Sequence, residues 1–125
     1  MIGTRKRDTA VAFKEIRKVF DEIYKEGNWI VSGGCPKGAD RYAEQLAKAE
    51  GLIMITTYPN YKRYGRGAPV VRNGDIADIS DKIIACVMNP EDGIDAVLER
   101  KSGGTEDTLR KFVKRTGDKS KIYLV

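Results

Sequence analysis

The chain has 125 residues, of which 41% are hydrophobic and 33% charged, enough for one packed domain and too apolar for a disordered chain. A net charge of +5 and a pI near 9.2 point toward anionic partners, and the lack of any histidine removes the commonest general base and metal ligand. No apolar stretch approaches the roughly 18 residues of a membrane span, and the start, 1–9, lacks the apolar segment of a signal peptide. The expectation is a single cytoplasmic domain over residues 1–125 with no membrane partner. Cys35 and Cys86 lie far apart without a C-x-x-C spacing, so neither a disulfide scaffold nor a metal site is expected, and no cofactor is implied.

In chain order, "MIG" (1–3) reads as a short first strand. Apolar residues at Ala12, Ile16, Val19, Phe20 and Ile23 mark an amphipathic helix between Asp8 and Glu26, with Asp8 or Thr9 as its cap and Gly27 as its stop. "NWIVS" (28–32) reads as a strand covered on both faces. The next helix runs from Ala39 to Glu50, burying Ala39, Ala43, Leu46 and Ala47 and stopping at Gly51. "LIMITTY" (52–58) is a strand ended by Pro59. Pro69 suits the first turn of a helix reaching Ser80, although Gly74 weakens it by about 1 kcal/mol relative to alanine. "KIIACVM" (82–88) is the fourth strand, and Ile94, Val97 and Leu98 suggest a short extra helix, read as a lid or a dimer contact. The last helix, Thr105 to Thr116, buries Leu109, Phe112 and Val113. It carries Glu106 and Asp107 in its first turn and Lys111, Lys114 and Arg115 toward its end, as the helix dipole favours. "KIYLV" (121–125) closes the chain. This alternation predicts an α/β fold, a Rossmann-like three-layer sandwich with a mostly parallel five-stranded sheet and helices on both faces.

In an open parallel sheet, ligands bind beyond the carboxyl ends of the strands. Three segments at such ends carry small and glycine residues: "GTR" (3–5), "SGGCPKGAD" (32–40) and "SGGTEDT" (102–108). Loops of this kind before a helix leave unpaired N–H groups aimed at an anion. Gly33 and Gly38 have the G-x-x-x-x-G spacing, but Ala39 and Asp40 stand where a P-loop needs Lys and Ser/Thr, so a P-loop NTPase is not implied. Asp40 reads either as an acceptor for ribose hydroxyls or as an ordinary first-turn acid. Arg72 reads either as a phosphate cation or as a partner of Asp75 or Asp78 on the helix surface.

Gly3-Thr4-Arg5, Gly33-Gly34-Cys35 with Gly38-Ala39-Asp40, Tyr61 with Tyr64-Gly65, Arg72-Asn73 and Gly103-Gly104-Thr105, in this order, resemble the SLOG superfamily. That Rossmann-like group includes the LOG phosphoribohydrolases and the DNA-processing protein DprA, and the likeness is greatest to its small YspA/YpsA-like branch. The resemblance covers almost the whole chain, and its motifs are specific only together. It implies a nucleotide or nucleotide-derived ligand such as AMP or ADP-ribose, and a homodimer or higher homo-oligomer. The ligand would be held by Gly3, Thr4 and Arg5, by Ser32, Gly33, Gly34, Gly38 and Asp40, by Arg72 and Asn73, and by Gly103, Gly104 and Thr105.

The LOG enzymes cleave the N-glycosidic bond of nucleoside 5′-monophosphates and carry P-G-G-x-G-T-x-x-E. Here "KSGGTEDTL" lacks the proline and the spacing, and Thr108 stands where the glutamate would. Glu106 or Asp107, with Arg72 on the phosphate, are the candidate catalytic residues; the other reading makes both acids simple first-turn charges. The resulting expectation is a nucleotide-binding sensor or weakly catalytic domain, with a LOG-like phosphoribohydrolase as the alternative. Residues 58–72, where tyrosines alternate with Lys62, Arg63 and Arg66, add a second alternative, DprA-like binding of single-stranded nucleic acid, and read equally as a lid over a small anion.

Overall fold

The computed structural model describes residues 1–125. Its parallel strands are β1 (Ile2–Gly3), β2 (Ile30–Ser32), β3 (Met54–Thr56), β4 (Ile83–Cys86) and β5 (Ile122–Leu124). Its helices are α1 (Ala10–Ile23), α2 (Ala39–Glu50), α3 (Tyr61–Tyr64), α4 (Ala68–Ile79), α5 (Ile94–Leu98) and α6 (Gly104–Thr116). No helix is long and apolar enough to cross a membrane.

The strands form two ladders, β1-β4-β5 and β2-β3, where the sequence predicts one sheet of five. Ile2 pairs with Ala85, Ile83 with Ile122, and Ile30 with Met54. β1 has only two residues, and its ladder runs to β4; toward β2 the seam is crossed by the Met1 ammonium, which donates to the Val31 carbonyl at 3.0 Å. β4 is buried throughout, and its residues alternate between two cores. Ile84 and Cys86 pack with Ile16, Phe20, Ala43 and Leu46 of α1 and α2. Ile83, Ala85 and Val87 pack with Ile76 of α4 and Leu109 and Phe112 of α6. Helices therefore cover both faces of this strand, as period-2 burial requires.

Local chemistry sets the element ends. Thr9 Oγ1 accepts from the Ala12 N–H at 3.2 Å and caps α1, which stops at Tyr24, ahead of the predicted Gly27, as Tyr24 turns extended and stacks on Phe20. Helix α2 has the predicted ends and buried face, and Gly51 closes it in the left-handed region. Trp29 lies before β2 and is exposed, so the covered strand is shorter than "NWIVS". In α5, Val97 is fully buried in the α6-side core, and Arg110 donates to the Leu98 and Arg100 carbonyls. This segment is thus fastened to the domain as a packing layer.

Candidate functional site

The ends of β1 and β2, the first half of α4 and the start of α6 enclose a cleft of about 510 Å³. Gly3, Thr4 and Arg5 form one wall, and Gly33, Cys35 and Asp40 the next. Arg72 and Asn73 project from α4, and Gly103, Gly104, Thr105 and Glu106 close the circuit from α6. Ser32, Gly34, Gly38 and Asp107 are predicted site residues that do not line it; the sequence reading missed Lys6, Pro69, Met88 and Thr108, which do. A second cleft of about 480 Å³ lies at the amino ends of the strands among Phe20, Tyr24, Trp29 and Ile79, and holds none of the predicted residues.

The glycine-rich loop 32–40 spends its own amides. The Asp40 carboxylate accepts from Gly33 N–H at 3.3 Å and Cys35 N–H at 3.1 Å, while Ser32 Oγ accepts from Gly34 N–H at 3.2 Å. Asp8, weighed above as a cap for α1, instead accepts from Gly38 N–H at 3.0 Å and Arg41 Nε at 2.9 Å. The loop thus carries its anions within the chain. Gly33 lacks a side chain where Arg72 comes closest: a Cβ there would lie 2.6 Å from Arg72 Nη1, which donates to the Gly33 carbonyl at 2.6 Å. The space left by this glycine serves the protein's own arginine.

Asp8 makes a pH dependence visible. The Gly38 N–H, and after it Arg41, hold its carboxyl below the usual value of 3.8. A depressed folded value means that this stabilisation is complete well above 3.8 and is lost as pH falls through the lower folded value. Asp8→Asn keeps an acceptor for Gly38 but no longer titrates. Its stability, followed by urea unfolding between about pH 5 and 2, falls less steeply with acid than that of the wild type.

The other half of the cleft is wired differently. Asp107 accepts from Asn73 Nδ2 at 3.1 Å and Lys111 Nζ at 2.9 Å; Asn73 Oδ1 accepts from Arg72 Nε at 3.3 Å; Arg72 reaches Gly33. One network thus runs from α6 through α4 to the end of β2 and fixes both sides of the cleft. Burial alone raises the Asp107 carboxyl, but the hydrogen bonds from Lys111 and Asn73 outweigh it and bring it below the ordinary value. Asp107 is therefore occupied in holding α4 to α6. Arg72 pairs with neither Asp75 nor Asp78.

Glu106, one residue earlier, behaves otherwise. It is 9% exposed, lines the cleft and accepts no hydrogen bond from the chain; the nearest cation, Arg100 Nη1, is 3.8 Å away. Consecutive helical residues point about 100° apart, which separates these two acids into two jobs. Gly103 caps α6 at φ 117° with no side-chain cap, so the first amides of the helix meet no side-chain oxygen. Thr108, three residues after Thr105, donates its hydroxyl to the Gly104 carbonyl at 2.9 Å. Arg5 and Lys6 are exposed and their side chains make no ion pair or hydrogen bond.

The cleft thus offers an uncapped helix N-terminus, two unpaired cations, a fixed guanidinium, and two carboxylates, Asp40 and Glu106. Such a set suits a molecule with both an anionic group and hydroxyls or ring N–H donors. No family model, curated protein or solved structure matches the chain.

Proposed function

We propose that this cleft binds a small nucleotide-type anion, of the AMP or ADP-ribose kind, and that the chain acts as a sensor or weakly catalytic domain. The observation carrying this reading is the Gly103-Gly104-Thr105 start of α6, which has no side-chain cap and lines the cleft together with Arg5, Lys6 and Arg72. A helix N-terminus and guanidinium groups favour a phosphate, and no side chain at Gly104 obstructs its approach: a Cβ there would meet only Asn73 Nδ2 at 3.7 Å. Asp40 and Glu106 are suitable acceptors for ribose hydroxyls. In this reading the ladders are halves of one Rossmann-like sheet of order β3-β2-β1-β4-β5, in keeping with the SLOG-like motifs and supported by the Met1–Val31 bond and the two-sided burial of β4. The cleft then lies at the switch in strand order, where open α/β sheets bind ligands.

Thermal unfolding against AMP, ADP-ribose, cyclic ADP-ribose and NAD tests the proposal. A true ligand at 100 times its Kd stabilises by about 2.7 kcal/mol. A flat midpoint across the panel at millimolar concentrations removes the nucleotide reading.

Glu106 favours one second reading, phosphoribohydrolase activity. A mostly buried carboxylate without hydrogen bonds, facing the cleft, is suited to orienting a water or stabilising an oxocarbenium-like ribose. On this reading nucleoside 5′-monophosphates release free base, Glu106→Gln abolishes the release, and Asp107→Asn retains it in whatever fraction folds. Absence of free base by chromatography after prolonged incubation leaves binding alone.

A further inference from the structure

We propose that residues 58–66 form a docking surface for single-stranded nucleic acid, separate from the cleft. Tyr58, Tyr61 and Tyr64 are 70%, 60% and 41% exposed, and the remaining large exposed aromatic side chain is Trp29, at the other edge of the molecule. Rings this open gain little from the fold. Tyr58 packs its edge on the loop at Gly34, where an added Cβ would meet Tyr58 Cε1 at 2.4 Å. Tyr61 and Tyr64 stand at i, i+3 on α3, whose start is fixed by Asn60 Oδ1 accepting from the Arg63 N–H at 3.1 Å.

The charges complete the surface. Lys62, Arg63 and Arg66 are exposed, no acidic residue occurs anywhere in 58–72, and none of these three cations pairs with a carboxylate. The Arg63 guanidinium lies 5.2 Å from the Tyr64 ring centroid. Aromatic faces among free cations bind unpaired bases by stacking and the intervening phosphates by charge, whereas duplex bases already stack on one another. None of residues 58–67 lines the cleft, so this surface is distinct from it, while Pro69 and Arg72 at the end of the segment face the cleft.

Fluorescence anisotropy of a labelled thymidine oligomer of about 15 nucleotides, against the full chain, is the test. The single strand binds at least about tenfold more tightly than a duplex of the same length. Tyr61→Ala and Tyr64→Ala each weaken it by about tenfold, and Tyr61→Phe, which keeps the ring, does not. Replacing Lys62, Arg63 and Arg66 together by glutamine lowers the slope of log affinity against log salt by about 2, at about 0.7 for each phosphate contact. Because all five substituted side chains are exposed, the thermal midpoints of these variants stay at the wild-type value, which separates lost binding from lost folding. Equal affinity for duplex, or alanine variants within about twofold of wild type, overturns the proposal. So does displacement of the oligomer by AMP together with the same tyrosine losses in AMP binding, which assigns the rings to the cleft.

Discussion

Gly38→Ala lowers the free energy of unfolding by about 3 kcal/mol, and the midpoint by about 10 °C for a chain of this length. Gly38 has φ +74° and ψ −146°, a conformation nearly confined to glycine that costs an L-residue about 1–3 kcal/mol. A Cβ there would also lie 2.7 Å from the Thr4 carbonyl oxygen. That oxygen has little room to retreat, because Thr4 N–H is bonded to the Cys86 carbonyl at 2.9 Å and Thr4 O accepts from Arg7 N–H at 3.3 Å. Overpacking against fixed backbone adds about 1–3 kcal/mol to the strain. Gly51→Ala supplies the comparison, since Gly51 has φ +66° and nothing within 4 Å of an added Cβ. It costs about 1 kcal/mol, the cost of the ordinary left-handed region, with neither the glycine-only ψ of Gly38 nor a steric contact. Equal losses in the two variants, measured by denaturant unfolding, contradict the combined cost given to the Gly38 backbone and its Thr4 contact.

Arg5→Gln and Arg72→Gln each weaken nucleotide binding about tenfold to hundredfold, the range for removing a charge-assisted hydrogen bond, yet they separate in stability. Arg5 is exposed and makes no side-chain bond in the chain, so its loss leaves the unfolding free energy within about 0.5 kcal/mol of wild type. Arg72 donates to the Gly33 carbonyl and to Asn73 Oδ1, and its truncation leaves both acceptors unmet at about 1–2 kcal/mol. Calorimetric titration of both variants beside urea unfolding reads the two effects independently. A wild-type affinity in Arg5→Gln would falsify the placement of the phosphate on that wall.

The helices were the most legible part of the sequence. The apolar stripe of α2 and its closing Gly51, and Pro69 at the start of α4, state local preferences that the tertiary structure leaves intact. The division of the strands into two ladders was not legible, because a two-residue β1 carries no pattern from which its neighbours follow. Nor was the end of α1, where the Phe20–Tyr24 stack closes the helix before Gly27.

In the cleft, the meeting of "GTR" with "SGGTEDT" followed from strand-end logic, whereas Arg72-Asn73, inside α4, entered only through the resemblance. The occupation of loop 32–40 did not, because a missing Cβ serves a ligand or the protein's own groups equally well. Asp8 reaches that loop from 30 positions away, a distance no local motif bridges. The contrast between Glu106 and Asp107 also needed tertiary contacts: only the position of Asn73 and Lys111 shows which acid is already engaged.

Amide chemical-shift mapping during titration with AMP tests the central claim most directly. Binding in the cleft moves the amides of Gly104, Thr105 and Glu106 and those of Gly3 to Lys6 most. Gly33 and Cys35, already bonded to Asp40, move less. Shifts confined to Trp29, Ile30 and Lys82 at the opposite edge, or no shifts at millimolar AMP, contradict it.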